Sequence, residues 1–149
     1  MRWALGAMLF CLCTQVMATS EQQAMRVVGD AIVAPLSDVT GSAEEGEQIF
    51  AARDAGHCVL CHQVSGLDAP FQGNIGPALS GIGDRLSPGQ IRLRIADASL
   101  LNAQTIMPSY YLIEGLHRVD ERYRGRTALS GAQIEHLVAY LAQLRRQHQ

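Results

Sequence analysis

The chain has no lysine: all 12 of its basic residues are arginine. A docking surface built from lysines is therefore excluded. Nor is there an excess of positive charge. With Arg2 counted in an expected leader, the rest holds 11 basic against 14 acidic residues, a formal charge of −3, which argues against a nucleic-acid partner. Beyond the first twenty residues no apolar run approaches the roughly 20 residues of a membrane span. Cysteine is scarce too, at positions 11, 13, 58 and 61 only.

The first residues read as a targeting segment. Arg2 gives a positive start, Trp3 to Leu12 is almost unbroken apolar sequence, and Val16-Met17-Ala18 supplies the small residues of a cleavage site. Cleavage after Ala18 is expected, giving a signal peptide at 1–18, a single domain at 19–149 and an exported, periplasmic protein without a membrane anchor. Phe10 and Leu12, before Cys11 and Cys13, do not suit a lipid-attachment site, so both cysteines are expected to leave with the leader.

Two cysteines in an exported chain would ordinarily be read as a disulfide. Here they are Cys58 and Cys61, followed at once by His62. Cysteines three apart on a helical turn point to one side, where both sulfurs reach the two vinyl groups of a haem, and the next residue falls under the iron. This predicts one covalently bound haem c at Cys58 and Cys61, with the His62 imidazole as the proximal iron ligand. A thioredoxin-like pair needs a strand before it and a βαβ setting, which 44–56 does not offer. A zinc site needs a second pair of ligands, and none follows at a suitable spacing.

With the leader removed, the only methionines left are Met25 and Met107. Met25 reads as an ordinary apolar residue at the start of the domain. Met107 is followed by Pro108, which stiffens the loop and favours an extended backbone at the methionine, so Met107 is the expected second ligand. Among the histidines, His57 lies on the proximal segment and cannot easily cross to the other face. His136 points away from its helix's apolar stripe and is expected to be solvated, and His148 is in the tail. His117 is the remaining rival. A thioether ligand raises the reduction potential and suits an electron acceptor, while a filled sixth position argues against oxygen binding or peroxidase chemistry.

The remaining sequence reads as helices around that site. Ala43 to Ala55, capped by Ser42 with Ile49 and Phe50 inward, leads into the attachment turn. Ser87-Pro88 starts a second helix that carries Ile91, Leu93 and Ile95 to about Ser99. Ser130 and Gln133 form a capping box ahead of the stripe Ile134, Leu137, Val138, Leu141 and Leu144, with Arg145 and Arg146 closing the last helix. Val27 to Leu36 is either a short strand or an extended arm. Arg118, Arg122, Arg124 and Arg126 make either a solvated face or a cationic surface for an acidic partner.

A proximal histidine needs an acceptor for its other ring nitrogen, and proline keeps its carbonyl while lacking an amide hydrogen. Gly76-Pro77-Ala78-Leu79 resembles the segment of class I cytochromes c in which that carbonyl takes the bond, which implies Pro77 for this role. Taken with Gly29-Asp30-Ala31-Ile32, Pro35-Leu36, Gly73-Asn74-Ile75-Gly76-Pro77, Met107-Pro108-Ser109-Tyr110-Tyr111 and the last helix, nearly the whole mature chain resembles the SoxX family. These are monohaem cytochrome subunits of the periplasmic sulfur-oxidation system. The resemblance implies an all-α, class I cytochrome c-like domain around one haem, with an extended N-terminal arm. It implies Cys58, Cys61, His62 and Met107 as haem residues and a heterodimer with SoxA. The implied reaction joins thiosulfate oxidatively to a cysteine of a SoxY-type carrier (L-cysteine S-thiosulfotransferase), with the catalytic residue on SoxA and electrons passed to a downstream cytochrome. The alternative is a free-standing periplasmic shuttle. Mitochondrial-type cytochromes c dock through a lysine ring, so this chain must dock differently.

Overall fold

The computed structural model describes residues 25–145. The expected leader at 1–18, with Cys11 and Cys13, lies outside them, as do Arg146 and His148. The architecture is mostly helical: a two-stranded antiparallel hairpin, β1 (Val27–Val28) and β2 (Ala31–Ile32), then helices α1 (Ala43–Ala51), α2 (Pro88–Asp97) and α3 (Gly131–Gln143). The segment 27–36 thus begins as a hairpin, with Val27 opposite Ile32 and Val28 opposite Ala31, and continues without regular structure. Among the described residues no helix is long and apolar enough to cross a membrane.

Each helix start follows from local chemistry. Ser42 accepts the Glu45 amide, satisfying one of the free donors at the start of α1. Ser87 with Gln90 and Ser130 with Gln133 form complete capping boxes, and Pro88 occupies the first turn of α2. Two ends differ from expectation. The first helix ends at Ala51, four residues before the expected Ala55; at Ala52 the backbone turns extended (ψ 130°), and the next residues make turns. The last helix stops at Gln143, before the arginines; Arg145 instead pairs with Asp84 at 3.2 Å.

The crossing of α1 and α3 organises the core. A Cβ on Gly46 would lie 2.0 Å from the His136 carbonyl oxygen, so only glycine lets the backbones approach this closely. Beside the crossing the Phe50 and Tyr140 rings pack with centroids 5.7 Å apart. Phe50, Leu93, Ile134 and Leu137 are almost wholly buried, each contributing about 1.5–3 kcal/mol of burial.

His136 corrects the sequence expectation: it is 9% exposed, not solvated. Its Nδ1 accepts the Ser42 amide at 2.9 Å, and Nε2 meets the Glu45 carboxylate at 3.0 Å. The helix has two buried faces, one carrying the apolar stripe and one packed on α1, and a single-stripe reading sees only the first.

A second buried polar cluster ties the hairpin down. Arg92 and Glu135, both nearly inaccessible, form a forked ion pair with N···O distances of 2.8 and 2.7 Å. Arg92 also donates to the Ile32 carbonyl at 2.7 Å, and Glu135 accepts the Leu36 amide at 2.8 Å. Three segments far apart in sequence are joined by two side chains with their polar atoms satisfied.

Candidate functional site

The attachment motif sits on a tight turn. Cys58–Leu60 is a 3-10 turn entered through His57 in the left-handed region (φ 55°). The Cys61 and His62 amides both bond to the Cys58 carbonyl, at 3.1 and 2.9 Å, which places both sulfurs and the imidazole in the wall of one cavity. Tyr110, buried in the wall of the same cavity, steadies the turn by donating its hydroxyl to the Gly56 carbonyl at 2.6 Å. Burial pushes the Cys58 thiol up to about 12, so it is a neutral thiol near pH 7, unlike the reactive thiolate of a redox-active pair. The chain before it is α1, and the only sheet among the described residues is the hairpin, so no βαβ setting surrounds the cysteines.

The cavity measures about 400 Å³, a volume suited to a sizeable ligand. Apolar residues of all three helices line it, among them Phe50, Ile91, Ile95, Leu137 and Leu141, with Met107 and Pro108. His62 lies against Gly76, where a Cβ would fall 2.3 Å from Cε1 of the ring. Its Nδ1 is 2.8 Å from the Pro77 carbonyl oxygen. A carbonyl only accepts, so this contact needs the proton on Nδ1 and leaves the Nε2 lone pair available to a metal. The site therefore combines two thiols on one turn, an oriented imidazole, a thioether and an apolar chamber between them. That donor set fits a covalently attached haem.

Of the other histidines considered, His57 lines the cavity, whereas His117 is exposed and does not. Met25 packs against the core. Arg118, Arg122, Arg124 and Arg126 are all exposed. Arg122 pairs with Asp120 at 3.1 Å and holds that carboxyl below its usual range, and the Arg126 Nε donates to the Arg122 carbonyl.

Sequence reasoning missed Asp97. This 3% exposed carboxylate at the end of α2 accepts the Ser99 amide at 3.1 Å and the hydroxyls of Ser99 and Ser109, each at 2.6 Å. It anchors the loop that carries Met107, together with the Tyr110 and Tyr111 amides, which donate to the Ile95 and Ala96 carbonyls. Asp97-Ala98-Ser99 is a recognisable capping signature for the short turn that follows, but nothing local announces Ser109.

The cytochrome c family profile matches residues 43–145, so the chain belongs to the cytochrome c family. No curated protein matches it by sequence. Among solved structures, it is 35% identical to a chain of the crystal structure of SoxXA from P. pantotrophus, with a TM-score of 0.73, covering 82% of this chain and 95% of that one. Within the cytochromes c it is thus a class I member of the SoxX type.

Proposed function

We propose that this chain is the monohaem, electron-accepting subunit of a periplasmic SoxAX-type complex. Cys58 and Cys61 attach the haem, while His62 and Met107 hold its iron. The observation that carries the reading is one cavity walled by Cys58, Cys61, a Pro77-oriented His62 and Met107, in a chain 35% identical to one from SoxXA. When bound, the haem supplies a one-electron store whose potential the protein tunes. The Pro77 carbonyl fixes the His62 tautomer and ring plane. Asp97 and the Tyr110 and Tyr111 amides brace the Met107 loop, and the apolar walls keep water from the centre. The partner is a SoxA-type subunit on which thiosulfate is joined to the cysteine of a SoxY-type carrier, and this chain passes the electrons to a further cytochrome. Residues 1–18 act as the export signal.

The test is a pair of optical spectra, oxidised and reduced, of protein made in a host that attaches c-type haem, followed by affinity capture with a SoxA-type subunit. A far-red band from sulfur ligation to ferric iron, absent in Met107→Ala, is expected, as is a stable complex. A haem spectrum lacking the band would remove Met107 from the ligand set and leave His117 to be tested. A monomer that ignores SoxA but exchanges electrons with several cytochromes would make it a free-standing shuttle.

A further inference from the structure

Three stretches of the chain, 55–67, 69–83 and 98–113, contain no Asp, Glu, Lys or Arg. They nevertheless reach the surface. Leu60, Phe71, Ile75, Leu100, Leu101 and Ile106 are exposed, and the other large apolar residues exposed among those described are valines of the N-terminal segment. The first two stretches run side by side: the Gly73 amide donates to the Val59 carbonyl at 2.9 Å and the Gly76 amide to the Cys61 carbonyl at 2.8 Å. Ile75 and Ile106, from the second and third, line one cavity while remaining largely exposed. Single apolar residues on a surface need no explanation, but a gathered, uncharged group of them marks a contact face.

Phe71 stands out within this face. It is 91% exposed, and its backbone lies in the left-handed region at φ 57°. For a bulky residue that conformation is costly and persists only where its surroundings impose it. Here they do. Arg53 donates through Nη2 to the Pro70 and Phe71 carbonyls at 3.0 and 3.4 Å, and the neighbouring Gln72 side chain accepts the Val64 amide at 2.7 Å. The loop thus holds an aromatic ring out into solvent, where it contributes nothing to the core.

We propose that Phe71 is the anchor through which this uncharged face docks a permanent partner, its ring entering an apolar pocket of a SoxA-type subunit. This rests on the SoxAX reading above. Stable subunit contacts have an apolar, aromatic-rich centre with charge kept to the rim, whereas electrostatically steered encounters need charge on the face itself. Arg53, bonded beneath Phe71, and Asp68, beside the second stretch in sequence, supply such a rim. A lipid surface would call for basic residues among the apolar ones, and the three stretches have none.

The experiment is calorimetric titration of a SoxA-type subunit with haem-loaded parent, Phe71→Ser and Phe71→Gly proteins. Both variants are expected to bind more than about tenfold more weakly. The parent's affinity should hold from about 0.1 M to about 1 M salt, since no exposed charge pair carries the contact. Glycine accepts φ 57° without strain, so Phe71→Gly should unfold at no lower temperature than the parent even as it loses affinity. A ring that served the fold would instead lower that temperature and overturn the proposal. Parental affinity in either variant, or parental binding abolished by salt, would also overturn it and leave the SoxAX reading standing. A parent that binds no SoxA-type subunit would remove that reading and this partner together. In that case, self-association in the ultracentrifuge or flotation with phosphatidylglycerol vesicles, lost in Phe71→Ser, would give the face to a second copy or to a membrane.

Discussion

Ser109→Ala removes one bond, and its effect can be worked out from the geometry. On the proposed ligation, an added ligand such as imidazole reaches ferric iron only if Met107 leaves, which takes its loop away from the end of α2. In the parent that movement breaks the 2.6 Å bond from the Ser109 hydroxyl to the buried Asp97 carboxylate and the 3.3 Å bond from the Tyr110 amide to the Ile95 carbonyl. A hydrogen bond to a charged group is worth about 1.5–3 kcal/mol. In the variant Asp97 keeps both Ser99 donors, so no buried charge is stranded and the loss is confined to the loop. At about 1.4 kcal/mol per tenfold, imidazole should bind ferric Ser109→Ala about 10- to 100-fold more tightly than the parent. Spectrophotometric titration measures this, with far-UV circular dichroism expected to be unchanged. Equal affinities would show that the Asp97 anchor does not govern Met107.

Gly76→Ala should sharply lower the yield of haem-loaded protein, because the new Cβ would lie 2.3 Å from the His62 ring; haem stain per milligram of protein checks it. Arg92→Met should destabilise the fold by about 3–5 kcal/mol by stranding Glu135. Arg92→Met combined with Glu135→Leu should recover much of that loss, and urea unfolding of the three proteins decides. Burial, and after it the charge of Glu47, pushes the Tyr140 hydroxyl from 10.0 up to about 12. Since the raised value favours the neutral form when folded, this contribution to stability is intact below about pH 10 and lost as pH rises through about 12. Alkaline unfolding monitored by tyrosinate absorbance should show that loss.

What the sequence revealed was local. The spacing from Cys58 to His62, the proline after Met107 and the Ser130–Gln133 capping box each lie within five residues, and each has its meaning without the rest of the fold. Long-range pairings were hidden. Nothing near Arg92 points to Glu135, 43 residues on, and with Ile91, Arg92, Leu93, Ile95, Ala96 and Asp97 all enclosed α2 has no single apolar stripe. His136 was misplaced for the same reason, since its partner surface begins at Ser42, 94 residues away. Pro77 lay between, its role coming through a family resemblance while the 2.8 Å contact gives that role its geometry.

The crossing at Gly46 also bears on the order of assembly. The turn from Cys58 to His62 closes through its own backbone bonds, but the wall contributed by Leu137 and Leu141 arrives only with the last helix. Closing the long loop to α3 costs more chain entropy than closing the local turn does. Cys58 to His62 can therefore form their turn without α3, whereas the chamber is complete only once α3 is docked.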